Sequence, residues 1–166
     1  ISETLQEIDL GDNDLTDRSG VSLFAAVARS PPMRDSIGQK IDGTHVIRRV
    51  MLYKNKFSHQ TMQAFAKCIK RHRTLICDMT ENPVGDHGVS SICKVLTKYW
   101  DHGRLDMRSM SYGPDGLRPL TLVLANSSWR TVTSLFLSGN YLGVEGANHL
   151  SLVIETNLSL TELDVS

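Results

Sequence analysis

Two carboxylates in this sequence could do chemistry together. Asp78 and Asp106 hold equivalent positions in consecutive segments of the chain, and on neighbouring strands they could share a proton or hold a metal ion. Arg104 and Arg108 flank Asp106, however, which favours an ion-pair cluster. The sequence contains no glycine-rich phosphate loop and no nucleophile elbow. We therefore predict a protein that is not an enzyme, with no catalytic residues, no metal site and no cofactor.

Three cysteines and a histidine suggest a zinc site as an alternative. Cys68 and His72 are four residues apart on a predicted helix, and Cys77 and Cys93 follow. None of them belongs to a pair of closely spaced ligands, the signature of structural zinc. Cys77 fits a core strand position, and the other two cysteines fit small-residue positions on helices. Three cysteines are also too few for a disulfide scaffold, so we expect a reducing, cytoplasmic location.

A repeating pattern accounts for the positions of these residues. Each unit starts with the alternation of a short strand, passes an asparagine at a turn, and continues with apolar residues at helical spacing. The clearest copy spans residues 132–154. Met110 stands where the fourth unit should have asparagine, and we expect an altered turn there because its side chain cannot replace the amide. The anchor residues of the five units are Asn13, Asn55, Asn82, Met110 and Asn140.

The pattern resembles the leucine-rich repeat family, specifically its ribonuclease-inhibitor-like subtype, over nearly the whole chain. The resemblance implies an α/β fold: a right-handed β–α solenoid with parallel strands on a concave face and helices on a convex face. We expect a single domain over residues 1–166, with about five repeats and a final strand, cut from a longer protein. Residues 31–44 form an insertion loop, either a tolerated surface insertion or a partner-specific binding loop.

Proteins of this family usually bind partners on the concave face, so the outward-facing strand residues are the candidate site. Arginine and aromatic side chains are enriched among residues that anchor protein interfaces, and several occur at these positions. The predicted protein-binding residues are Arg49, Met51, Tyr53, Arg104, Arg108 and Phe136.

Composition limits the class of partner. The 18 basic and 18 acidic residues cancel, unlike the basic surplus of most nucleic-acid binders. No apolar run approaches the roughly 20 residues that cross a bilayer. We expect a protein-binding module with a protein partner and with no nucleic acid, membrane or small-molecule substrate. The alternatives are a regulator of a partner enzyme, such as a GTPase-activating protein, and an architectural segment of a cytoskeletal assembly. The basic run at residues 67–73 either complements a helix dipole or marks a surface for an acidic or phosphorylated partner.

Overall fold

The structure, a computed structural model, describes residues 4–41, 45–126 and 130–166. In these residues short strands alternate with helices, and every strand pairing is parallel. The α/β class expected from the sequence is therefore confirmed. The elements in chain order are β1 (Glu7–Asp9), α1 (Asp17–Val27), β2 (Arg49–Met51), α2 (His59–Ile69), β3 (Ile76–Asp78), α3 (Gly85–Tyr99), β4 (Arg104–Asp106), α4 (Pro114–Leu124), β5 (Ser134–Phe136), α5 (Gly143–Thr156) and β6 (Glu162–Asp164).

The strands form two sheets of three. β1, β2 and β3 pair in order, as do β4, β5 and β6, but within the described residues no ladder joins β3 to β4. The middle residue of each strand points towards the helices, and Val50 and Leu135 are completely buried there. The flanking residues form the opposite surface, which we call the strand face. Asp78 and Asp106 therefore lie on consecutive strands that no ladder joins.

Asparagine amides tie consecutive units together. The Asn82 side chain donates to the Leu52 carbonyl of the preceding unit (2.9 Å) and accepts from the Phe57 N–H (3.0 Å). Asn55 and Asn140 likewise donate to a carbonyl of the unit before them and accept from a backbone N–H of its turn. The residue before each anchor has a positive φ, and Ser109 (52°) before Met110 keeps this conformation. The backbone conformation of the turn is therefore kept at Met110. The methionine side chain has no amide, however, so it cannot form the hydrogen bonds that would link this turn to the unit that carries β3.

Two aspartates each lie in one helix and cap the N-terminus of the next helix along the chain. Asp17, in the first turn of α1, accepts hydrogen bonds from the backbone and hydroxyl groups of Ser58 and Thr61 at the start of α2. Asp86, in the first turn of α3, accepts from the N–H groups of Gly113 and Gly116 at the start of α4. A carboxylate is favourable at a helix N-terminus, where backbone donors lack partners. These two acidic residues are therefore committed to the fold.

Part of the predicted insertion folds back on itself. Asp35 accepts hydrogen bonds from the N–H groups of Ile37 (3.0 Å) and Gln39 (2.8 Å), and the Ile41 N–H donates to the Met33 carbonyl (2.9 Å). These bonds make a compact surface turn out of residues 33–41. Residues 42–44 of the predicted loop lie outside the described residues.

Candidate functional site

The break between the sheets opens a cleft on the strand face. At the other junctions, the N–H just after one strand donates to a carbonyl of the next strand. Within the described part of the chain, Met79 makes no such bond to Asp106, although the Glu81 N–H still reaches the Arg108 carbonyl (3.3 Å). β3 and β4 therefore separate beside a cleft of about 490 Å³. The intact equivalents are Leu10–Met51 (2.9 Å), Leu52–Asp78 (2.8 Å), Met107–Phe136 (2.9 Å) and Leu137–Asp164 (2.8 Å).

Apolar and aromatic side chains line one part of the cleft. Trp100, in the linker between α3 and β4, is only 7% exposed, and its ring meets His102 edge-on at 5.1 Å. Met51 and Ile76 also line the cleft, and Ile76 is 43% exposed. The Trp100 Nε1 and His102 Nε2 atoms are buried without a hydrogen-bond partner among the described residues. Burying such a group unpaired costs about 1–3 kcal/mol, so nearby acceptors would be stabilising.

Asp106 holds two arginines on the other side of the cleft. Arg108 contacts both of its carboxylate oxygens, from Nε at 2.8 Å and Nη2 at 2.7 Å, and Arg104 Nη2 lies 2.8 Å away. Both guanidinium groups lie over the Phe136 ring, at 3.8 Å for Arg104 and 5.8 Å for Arg108. Burial alone would raise the pKa of Asp106, but the hydrogen bonds from Arg108 and Arg104 outweigh it and lower that pKa. The predicted ion-pair cluster is therefore present.

Asp78 has a different environment from Asp106. Its Oδ1 atom accepts from the backbone N–H (2.9 Å) and hydroxyl (2.7 Å) of Thr80, so the carboxylate closes its own turn. The two aspartates therefore have separate hydrogen-bond partners. Within the described ranges, no cluster of three or more His, Cys, Asp or Glu side chains could hold a metal ion. Burial raises the pKa of the Cys68 and Cys93 thiols to about 12, and neither is suited to nucleophilic chemistry.

The structure brings together only part of the predicted binding set. Met51, Arg104 and Arg108 line the cleft, with Phe136 under the two guanidinium groups. Arg49 instead pairs with Glu7 on the exposed surface (3.0 Å). Tyr53 covers Gly11, where a Cβ atom would lie 2.3 Å from the Tyr53 ring. Neither Arg49 nor Tyr53 lines the cleft.

Sequence reasoning missed Trp100 and His102. They occupy the linker before β4, outside the strand positions from which the binding face was predicted. A tryptophan in a short polar linker, followed closely by two arginines, was the available signal. Tryptophan and arginine are the residue types most enriched where binding energy concentrates.

Comparison with known proteins agrees with this architecture. A family model described as Leucine Rich repeat matches residues 2–24. The match supports assignment to the leucine-rich repeat proteins, which are generally non-catalytic protein-interaction modules. A search of curated proteins found no match. No helix in the described ranges is long and apolar enough to cross a membrane.

Proposed function

We propose that this chain is a non-catalytic leucine-rich repeat scaffold that binds a protein partner on its strand face, with the cleft between β3 and β4 as the anchor point. The cleft carries the proposal because it combines an apolar wall, an arginine wall and buried aromatic rings on one open surface. Pockets of about 300–1,000 Å³ hold drug-sized ligands, so this cleft has room for a large side chain of a partner. In this proposal the strand face corresponds to the concave face expected from the sequence.

The arginine wall is arranged in advance for binding. Asp106 holds both guanidinium groups by hydrogen bonds, and both groups make cation–π contacts with the Phe136 ring. Side chains already held in place lose little entropy on binding, which leaves more of the contact energy as affinity. The partner chemistry that fits is an apolar or aromatic side chain that enters beside Ile76. Hydrogen-bond acceptors next to that side chain would face Arg104 and Arg108.

The finer assignment follows the same reasoning. Each described helix packs against the next one along the chain, which supports a solenoid in which units contact only their neighbours. Strand, turn and helix recur in the five units, with asparagine at four of the five turns, which supports the ribonuclease-inhibitor-like subtype. Cys68, Cys77 and Cys93 are all unpaired, which supports the proposed cytoplasmic location, where thiols remain reduced.

Two substitutions in the cleft test the proposal. The intact chain is immobilised, partners are captured from an extract of its source cells, and the dissociation constant of each captured protein is measured. We expect Ile76→Asp and Arg104→Glu each to weaken binding by about ten-fold or more, as for interface hot spots. Arg118→Glu, an exposed change on α4, is the control and leaves affinity unchanged. Equal affinities for the chain with and without the cleft substitutions would refute the site.

A further inference from the structure

A second surface lies on the opposite side of the molecule, between α1 and α2. The two helices leave a groove of about 630 Å³ between them, which we call the helix groove. One side of the groove is lined by Val21 and Ala25 of α1 and by Ala28, which caps the end of that helix. Ala64 of α2 lines the other side. These small side chains leave room for another backbone to approach closely, and Val21 is 41% exposed.

The dimensions of the helix groove suit a third helix. α1 and α2 each contain 11 residues, which corresponds to about 16 Å of helix length. Residues 21, 25 and 28 follow the i, i+4, i+7 spacing of one helix face. Grooves of this type between helices accept amphipathic helices, whose apolar face supplies anchors at the same spacing.

Charge on this surface is strongly one-sided. In α1–α3 and the residues directly after them (17–30, 59–74 and 85–100), the acidic residues are Asp17 and Asp86 alone. Both are committed as helix caps by the hydrogen bonds described above. The zero net charge of the chain therefore hides a basic helix face. Its exposed cations are Arg18, Arg29, Lys67, Lys70, Arg71, Arg73, Lys94 and Lys98.

Helix-dipole complementation accounts for only part of these charges, such as Lys67 and Lys98 in the last turns of α2 and α3. The dipole favours cations only in the last turn of a helix, yet Arg18 lies in the first turn of α1 and Lys94 is five residues before the end of α3. Lys67 and Arg71 also line the helix groove itself. Together they place positive charge beside an apolar channel, which favours an occupant with an apolar face and acidic flanks.

We infer that the helix groove binds an acidic amphipathic helix of a protein partner. Its apolar face packs against Val21, Ala25 and Ala64, and its carboxylates pair with Lys67 and Arg71. The site is independent of the cleft on the strand face, so the chain can hold two partner segments at once. The favoured orientation is parallel to α2, because it brings the negative C-terminal end of the bound helix's dipole over Lys67 and Arg71.

A fluorescent synthetic helix tests this inference directly. The probe is a peptide of about 18 residues with leucines on one face and glutamates on its flanks, long enough to cover the groove. Fluorescence anisotropy with the intact chain should show saturable binding that weakens as salt rises. The Lys67→Glu/Arg71→Glu double variant should weaken binding about ten-fold or more, and Ala25→Trp should block the groove. Arg118→Glu and Arg104→Glu should bind like the unmodified chain.

Other ligands give the outcomes that would overturn the inference. Equal binding of the same peptide with lysine in place of glutamate would remove the charge argument. Binding of phosphatidylserine vesicles or a single-stranded RNA through Lys67 and Arg71, with no binding of the acidic helix, would assign the surface to another class of ligand. Because both cations are exposed, circular dichroism should show unchanged folding in the double variant. Unchanged peptide affinity in that folded variant would equally refute the site.

Discussion

Replacing Asn82 with alanine tests whether the asparagine amides hold consecutive units together. Asn82 is 1% exposed and makes four hydrogen bonds. Two of its partners keep another bond after the change. The Leu52 carbonyl still accepts from Asn55 (3.1 Å), and the Thr80 carbonyl still accepts from the Lys54 N–H (2.9 Å).

The other two partners of Asn82 determine the size of the effect. The Phe57 N–H and the Met79 carbonyl have no second hydrogen-bond partner within the described residues. Phe57 is completely buried and Met79 is 3% exposed, so water does not readily replace the amide. At about 1–3 kcal/mol for each buried unpaired group, we expect Asn82→Ala to lower the free energy of unfolding by about 4 kcal/mol.

Urea unfolding followed by circular dichroism measures this loss, and hydrogen exchange gives a local readout. The Phe57 N–H should lose protection, because the Asn82 oxygen is its acceptor. Asn13→Ala is the matched control, because the exposed Asn13 side chain donates only to the Gly11 carbonyl, and we expect a change within about 0.5 kcal/mol. A loss below about 1 kcal/mol for Asn82→Ala, with the Phe57 N–H still protected, would contradict the bridging role.

Three further predictions concern burial and the broken sheet. Burial lowers the pKa of His72 from 6.5 to about 4 against the opposing hydrogen bond to the Ile47 carbonyl. As the pH falls, the unfolded chain therefore binds the proton first, and the free energy of unfolding should fall by about 3 kcal/mol between pH 6.5 and 4. Urea unfolding across this pH range measures the loss. The same pH dependence in His72→Gln as in the unmodified chain would contradict the prediction. The thiols of Cys68 and Cys93, with their pKa raised to about 12 by burial, should react with a disulfide reagent at pH 8 only after unfolding, and rapid labelling of the native chain would count against this. Met110→Asn should supply the missing bridge between the units of β3 and β4. The Met79 N–H should then gain protection from hydrogen exchange, and partner binding at the cleft should weaken. Unchanged exchange at Met79 would show that Met110 is not the cause of the break between the sheets.

The α/β elements were predictable because their pattern is local and repeated. Alternating apolar residues define each strand, and each asparagine marks a turn whose preceding residue is left-handed, as at Lys54 (56°) and Glu81 (57°). The ion pairs around Asp106 were predictable too, since Arg104 and Arg108 are two residues away and project from the same face of the strand. The linker residue Trp100 was not predictable by this route. It belongs to no repeat position, and its place beside the cleft depends on a gap between strands 28 residues apart in sequence.

The gap between β3 and β4 coincides with a departure from the repeat, the methionine at position 110. At three sheet junctions the strand ladder is accompanied by an asparagine amide that bonds back to the preceding unit. Among the described residues, β5 and β6 form their ladder without such a bridge. Met110 lacks that amide where β3 and β4 part, and its own N–H donates to the Asn140 side-chain oxygen (2.9 Å) in the next bridge. The bonds from Glu81 to Arg108 and from Gly85 to Met110 still join the two units at the turn, so the strands separate without the array coming apart. Among the five anchor residues only Met110 lacks an amide, and the break in the sheet occurs at its junction, where the arginines and Trp100 converge.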